Sequence, residues 1–411
     1  MPGIALSATV ADLEDLVRAH ERWRLREALN LQPSENVMSE TARAYLASDF
    51  AHRYTLPGYT SPVGGTGNAY RGTRYTDEVE ALGEGLAKEI FTAAYASLKP
   101  LSGHLAGFLL LQASCRRGDR ILVIDAKHGG YDGYMPGFLP RHLGLEVDFL
   151  PFDEASWNLN DKAAADAILE KRPRLVLVGA SFLLFPYNLR WLRGACDDVN
   201  ATLGYDASHV LGLIAGGAFQ RPMVEGVDVL SASTHKSFPG PQGGLFLSNR
   251  ADLFDRAMQN LVWHLQDNAH WNRIAATVQV LREMKEFGSK YASQVVANAK
   301  ALGQQLDRWK FPVKFRAQGY SQSHQLHYDL QKLHADWGLT PHEFADRLER
   351  NNLIVDAVGR LGTNEITRMG AREEDMQTLA GLIVNAAHGE DVREDVRDLR
   401  SRLRLSFVFP E

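Results

Sequence analysis

Long apolar runs are missing from this chain. No stretch of about 18 apolar residues occurs, so a membrane-spanning helix is not expected. Cysteine is scarce: the 411 residues include 2, Cys115 and Cys196, which excludes a disulfide framework. Both lie in helical, half-apolar segments and read as buried or half-buried thiols. Neither charge sign dominates. With 45 Lys and Arg against 50 Asp and Glu the net charge is -5, which argues against a general binder of nucleic acid or membrane surface. Residues Met1–Leu16 start apolar but lack a basic leader, a sustained apolar core and a small-residue cleavage site. The expectation is a soluble, cytoplasmic protein. No internal repeat or low-complexity segment is present, and no metal site is expected. The mixed-sign stretch Arg393–Arg404 reads as a solvated helix face.

What is present is an alternation. Apolar helical spacing covers Ala11–Leu31, which reads as an N-terminal helix, and a Gly-, Tyr-, Thr- and Pro-rich loop follows at Tyr54–Thr76. Short apolar runs then come at Ile121–Asp125, Val147–Phe152, Leu175–Ser181, Thr202–Asp206, Val229–Ala232 and Gly244–Leu247. Helical stretches separate them, at Glu78–Phe91, His104–Arg116, Asp161–Glu170, Leu189–Val199 and Ala251–Asn260. Strands alternating with helices imply an α/β fold whose mostly parallel sheet is buried on both faces. A long helix at Asn272–Ala301 leaves this unit. Beyond about Trp309, strands at Gln325–Leu330 and Ile354–Asp356 mix with helices at Pro341–Arg350 and Glu373–Ala387, a smaller α+β unit. The expected division is an N-terminal helical arm over 1–50, a large cofactor-binding domain over 51–285, and a linking helix with a small C-terminal domain over 286–411.

The strongest local signal is Ser233-Thr234-His235-Lys236 followed by Gly240-Pro241-Gln242-Gly243-Gly244. A lysine at a strand end, in a pocket that lowers its pKa, suits a Schiff base, which needs a neutral amine. The glycines would let the backbone pass close to a planar cofactor. Asp206 closes the run Thr202–Asp206, and a strand-end carboxylate faces the crevice where open α/β sheets bind ligands. There it can pair with a pyridinium nitrogen and keep the ring an electron sink; a helix-capping Asp is the plainer alternative. Ser102-Gly103-His104 opens a helix, which suits a phosphate or an ordinary Ser cap. Tyr131, after His128-Gly129-Gly130, could lie on a flat ring or belong to the core. Ser181 could bond a ring hydroxyl. In the C-terminal part, Gly359-Arg360-Leu361-Gly362-Thr363 with Thr367-Arg368 offers a guanidinium fork for an α-carboxylate.

Taken together, Leu31-Gln32-Pro33-Ser34-Glu35-Asn36, Ser102-Gly103, Gly129-Gly130, Asp206-x-x-His209, Thr234-His235-Lys236 with its glycine turn, and Arg360-x-Gly362-Thr363 resemble, in order, the motifs of serine hydroxymethyltransferase. The resemblance runs from about residue 30 to 390. It implies the fold-type-I, aminotransferase-like architecture and pyridoxal 5'-phosphate as cofactor. It further implies that Lys236 carries the cofactor, that Asp206 pairs with its ring nitrogen, and that His209, Thr234 and His235 lie close by. Ser102 and Gly103 would hold the phosphate, Ser181 the ring oxygen, and Ser34 and Arg360 the carboxylate of an amino-acid substrate. Tyr54 and Tyr70 would enter from the neighbouring subunit of a homodimer, as would Gln266 and Asn268 on its phosphate loop.

Three departures point to a changed reaction. Where the family has a proton-handling glutamate this chain has Leu56, and where it stacks a histidine on the cofactor this chain has Tyr131. The stretch Trp263-His264-Leu265-Gln266-Asp267-Asn268 lacks the family's glycine pair and, like Tyr320–Gln325, looks closer to the threonine transaldolase branch. Leucine can neither donate nor accept a proton, and general acid–base help is worth about 10²–10⁴-fold. The expectation is folate-independent breaking or forming of a Cα–Cβ bond, as an aldolase or transaldolase in specialised biosynthesis. The alternatives are β-elimination from a cysteine conjugate or decarboxylation, ordinary serine hydroxymethyltransferase activity, and a non-catalytic cofactor-binding protein.

Overall fold

The computed structural model describes residues 10–55 and 70–410. Leu56, the first part of the Met1–Leu16 segment and most of the Tyr54–Thr76 loop lie outside them.

A seven-stranded sheet forms the large unit. Its strands are β1 (Tyr95–Ser97), β2 (Arg120–Val123), β3 (Glu146–Phe149), β4 (Leu175–Val178), β5 (Thr202–Asp206), β6 (Val229–Ser233) and β7 (Gly244–Ser248). Their spatial order is β1-β7-β6-β5-β4-β2-β3. β7 runs antiparallel to both neighbours, and the other pairs are parallel. The apolar runs sit on these strands because both faces are covered. Val176, Val178, Leu203 and Tyr205 face one core, and Leu175, Leu177 and Val229 face the other. The second core is filled by the helix Gly103–Ser114, where Leu109, Leu110 and Leu111 have no exposed surface. Edge strand β3 stays half open. It carries Glu146 and Asp148, which pair with Arg120 and Lys171 and so discourage edge-to-edge pairing.

The helix Trp271–Arg308 joins the two units. Its 38 residues span about 57 Å at 1.5 Å per residue. Trp271 to Val295 pack in the large core, whereas Leu302 and Leu306 pack in a second core with residues 311–403. That core also receives Leu29 and Leu31, so the expectation of one helix through Leu31 is corrected. The α-helix is Val10–Arg22, followed by a wide turn, Trp23–Glu27, in which Ala28 N–H reaches back five residues to Trp23. Leu29 and Asn30 then pair in parallel with Leu353 and Ile354, and this competes successfully with helical propensity. Arg393–Arg402 is a helix, but it is not wholly solvated: Val396, Leu399 and Arg400 are buried. Both cysteines are free thiols, Cys196 buried and Cys115 half-buried. Among the described residues no helix is long and apolar enough to cross a membrane.

Candidate active site

A cavity of about 220 Å³ opens where the parallel strands end. Ser102 and Gly103 line it just after β1, Tyr131 after β2, and Ser181 after β4. Asp206 comes from the end of β5, with His209 soon after, and His235 and Lys236 from the turn after β6. Strand-end residues converge there because parallel strands all point their C-terminal ends at one crevice.

Lys236 is fixed through its backbone. Its carbonyl accepts a 2.8 Å hydrogen bond from Asn36 Nδ2, and the next carbonyl, of Ser237, accepts from the Tyr291 hydroxyl at 2.8 Å. Burial pushes the Lys236 amine down from 10.5 to about 8; the Asp206 carboxylate opposes this and the Arg360 charge adds to it. Asp206 is held at both oxygens: Tyr134 O–H donates to Oδ2 at 2.7 Å and Ser208 N–H to Oδ1 at 2.9 Å. Burial drives the His209 imidazole well below its usual range, with Lys236 and Arg360 as further causes, and its Nδ1 meets Gln325 Nε2 at 3.0 Å. Burial likewise lowers His235 to about 4, and its Nδ1 is buried without a partner among the described residues. Ser102 caps its helix, the hydroxyl accepting from Leu105 N–H at 3.1 Å. At Gly103 an added Cβ would lie 2.7 Å from the Ser233 Cβ, so the helix start stays bare backbone.

These walls fit a flat, anionic aldehyde cofactor with a ring nitrogen. The amine tending toward neutral, the strand-end carboxylate and the helix N-terminus would meet its three functional parts. The turn glycines act differently from expectation. An added Cβ at Gly244 would sit 2.4 Å from the Ser102 carbonyl oxygen, and one at Gly243 would sit 2.5 Å from Arg273 Nη1. Their close approach is between chain segments, and it seats Ser102 against the lysine turn.

An amine, a carboxylate and a helix N-terminus around one crevice, on a parallel sheet with a single reversed strand, define a fold-type-I pyridoxal-phosphate enzyme. The serine hydroxymethyltransferase family profile matches residues 6–383, and the chain belongs to that family. Serine hydroxymethyltransferase of Pyrococcus furiosus is 36% identical over 403 residues, covering 93% of this chain and 92% of its own. That of Methanopyrus kandleri is 38% identical over 413 residues, covering 95% and 93%. Among solved structures, L-threonine transaldolase from Pseudomonas fluorescens in its internal aldimine state superposes with a TM-score of 0.85 at 26% identity, covering 97% of this chain and 93% of its own.

Several expected site residues lie off the cavity wall. The Thr234 hydroxyl is turned to the Pro241 carbonyl at 2.7 Å and braces the glycine turn. The Ser34 hydroxyl accepts from Gln32 Nε2 at 3.3 Å. The Arg360 guanidinium is engaged three ways. It pairs with Asp356 Oδ2 through Nη2 at 2.8 Å, donates from Nη1 to the Ser181 carbonyl at 2.8 Å, and lies 4.4 Å from the Phe182 ring centre. Arg368 does not line the cavity: it is buried and paired with Glu283, which gives the Thr367-Arg368 end of the fork motif a structural role. Gln266 bonds its own chain, from Nε2 to the Lys99 carbonyl at 2.8 Å and through Oε1 to Leu101 N–H at 3.1 Å. Asn268 Nδ2 reaches the Ala269 carbonyl at 3.4 Å. Tyr54 and Tyr70 stack edge-on at 5.0 Å, and the Tyr54 hydroxyl donates to Asp267 at 2.7 Å, on an exposed surface outside the cavity. Sequence reasoning named His104 only within the helix-opening Ser102-Gly103-His104 and gave it no role of its own, yet it lines the cavity with its Nδ1 2.7 Å from the Tyr131 hydroxyl; Tyr134 was missed altogether.

Proposed function

We propose that this enzyme breaks and forms the Cα–Cβ bond of a β-hydroxy amino acid without folate, as an aldolase or transaldolase. The observation that carries the reading is Leu56, which stands where the family has its proton-handling glutamate. Among the described residues, Asp206 is the one carboxylate on the cavity wall, and both oxygens of Asp206 are already held from within the protein. A folate-linked reaction asks for a second proton-handling carboxylate, and the family position for it holds Leu56. The threonine transaldolase neighbour, matched over nearly the whole chain, supports the same reading.

Pyridoxal phosphate, once bound, supplies the electron sink for the broken bond. The protein's own residues do the rest. Lys236, whose amine burial draws down to about 8, would hold the cofactor and take or return a proton beside it. Asp206 faces the ring nitrogen. Ser102 and the bare helix start at Gly103 would take the phosphate and Ser181 the ring oxygen, with Tyr131, His209 and His235 on the same cavity wall. Arg360 takes the substrate carboxylate beside Ser34, in competition with Asp356. Tyr54 and Tyr70 are exposed and Gln266 and Asn268 half-buried, all four off the cavity wall of their own chain, and they would serve the partner's site in a homodimer.

Purified enzyme given L-threonine and no folate should release acetaldehyde, and an added aromatic aldehyde should be incorporated into a new β-hydroxy amino acid. No aldehyde release from any β-hydroxy amino acid would count against the reading. Ordinary serine hydroxymethyltransferase activity is the second reading, favoured by the relatives at 36% and 38% identity that carry that name. Glycine formation from serine only when tetrahydrofolate is present would establish it instead.

A further inference from the structure

Tyr134 occupies an unusual place. It is 2% exposed and sits in the apolar layer with Leu109, Leu110 and Val229, beneath the floor of the cavity. A hydroxyl there is costly unless it finds a partner. Its partner is the Asp206 carboxylate, at 2.7 Å. Ser231, itself fully buried, is paired directly with Asp206 across β5 and β6. Space for the hydroxyl is made by Gly107, where an added Cβ would fall 2.4 Å from it. Burial raises the Tyr134 pKa well above the usual value, with the Asp206 charge as a second cause, so the phenol stays protonated and acts as donor. Asp206 is thus gripped from the buried side by Tyr134 at Oδ2 and along the chain by Ser208 N–H at Oδ1, which leaves its cavity-facing edge for a ligand.

We propose that Tyr134 is a positioning residue: its hydroxyl fixes the orientation of the Asp206 carboxylate toward the cavity and thereby the pairing of that carboxylate with the cofactor's ring nitrogen. The inference rests on Asp206 being the ring-nitrogen partner and is independent of which bond of the amino acid is broken. A hydrogen bond to a charged group both orients and stabilises it, and among the described residues the Asp206 carboxylate retains one other hydrogen bond, from Ser208, once Tyr134 is removed.

The test is made on the holoenzyme with Tyr134→Phe, which keeps the ring and removes the donor. Pyridoxal phosphate should bind about tenfold more weakly, the loss expected of one hydrogen bond to a charge. The pH midpoint of the bound cofactor's visible band should move, and kcat should fall more than KM rises. Gly107→Ala, which crowds the hydroxyl without deleting it, should shift the same band in the same direction and also serves if the Phe variant does not fold. Both variants keeping the native band, midpoint and cofactor affinity would overturn the proposal. So would a lowered melting temperature with an unmoved band, because that is the mark of a purely structural tyrosine. A wild-type protein that takes up no pyridoxal phosphate would instead undo the assignment of the site itself, which separates the two failures.

Discussion

At Lys236 the same burial that makes the amine reactive also makes it titrate within an accessible range. With its pKa down from 10.5 to about 8, the folded protein binds fewer protons at this site than the unfolded chain between those values. Stability from this group therefore rises with pH across that window and is constant below it. The neutral amine should also accumulate early: an acylating reagent applied to apoprotein should label Lys236 with a rate rising through about pH 8, whereas solvated lysines titrate near ~10.4. Labelling that follows the solvated lysines would show that the amine is not desolvated. Arg360 invites a second test, since Asp356 competes for the guanidinium a substrate carboxylate needs. Asp356 Oδ1 also accepts from Val358 N–H at 3.1 Å, a turn that Asn can preserve. Asp356→Asn should lower KM for the amino acid about fivefold, ~1 kcal/mol, with kcat unchanged. An increased KM would mean that Asp356 orients Arg360 more than it competes with the substrate.

Among the elements, the long helix Trp271–Arg308 holds a buried ion pair. Glu283 on it has no exposed surface and is paired with Arg368, and it accepts from Ser39 Oγ at 2.6 Å, so one carboxylate ties three segments together. Arg368→Met should destabilise the protein by ~3–5 kcal/mol in urea unfolding, because it strands a buried charge. A loss under ~1 kcal/mol would show that Glu283 finds compensation. Arg368 also shows where the sequence was hard to read: next to Thr367 it looks like part of a substrate fork, and its partner Glu283 lies far away in the chain. The strand-end positions of Asp206 and Lys236 were legible because buried parallel strands leave plain apolar runs whose last residues face the crevice. Tyr134, His104 and Asn36 were not legible in that way. Their meaning lies in contacts with Asp206, Tyr131 and the Lys236 carbonyl, made by segments that no local periodicity connects. The Leu29–Leu31 segment misled for the opposite reason, since its helical spacing is real while its backbone pairs with Leu353 and Ile354.

For the molecule as a whole, the tyrosines are telling. Tyr54 and Tyr70 lie together on the outer surface, away from the cavity of their own chain, which suits a site completed by a second copy. If so, mixing Lys236→Ala with a Tyr54→Phe/Tyr70→Phe double variant, each inactive alone, should restore about one quarter of the wild-type activity, since random pairing in a two-fold dimer leaves one intact site in each hybrid. No recovery after subunit exchange would place both tyrosines out of the chemistry. The dependence of rate on folate separates the two reactions. The initial rate of aldehyde release from L-threonine by holoenzyme should be the same with and without saturating tetrahydrofolate, and serine should give little glycine in either case. Serine-to-glycine conversion that accelerates by orders of magnitude on adding tetrahydrofolate, with threonine cleavage negligible beside it, would contradict the account.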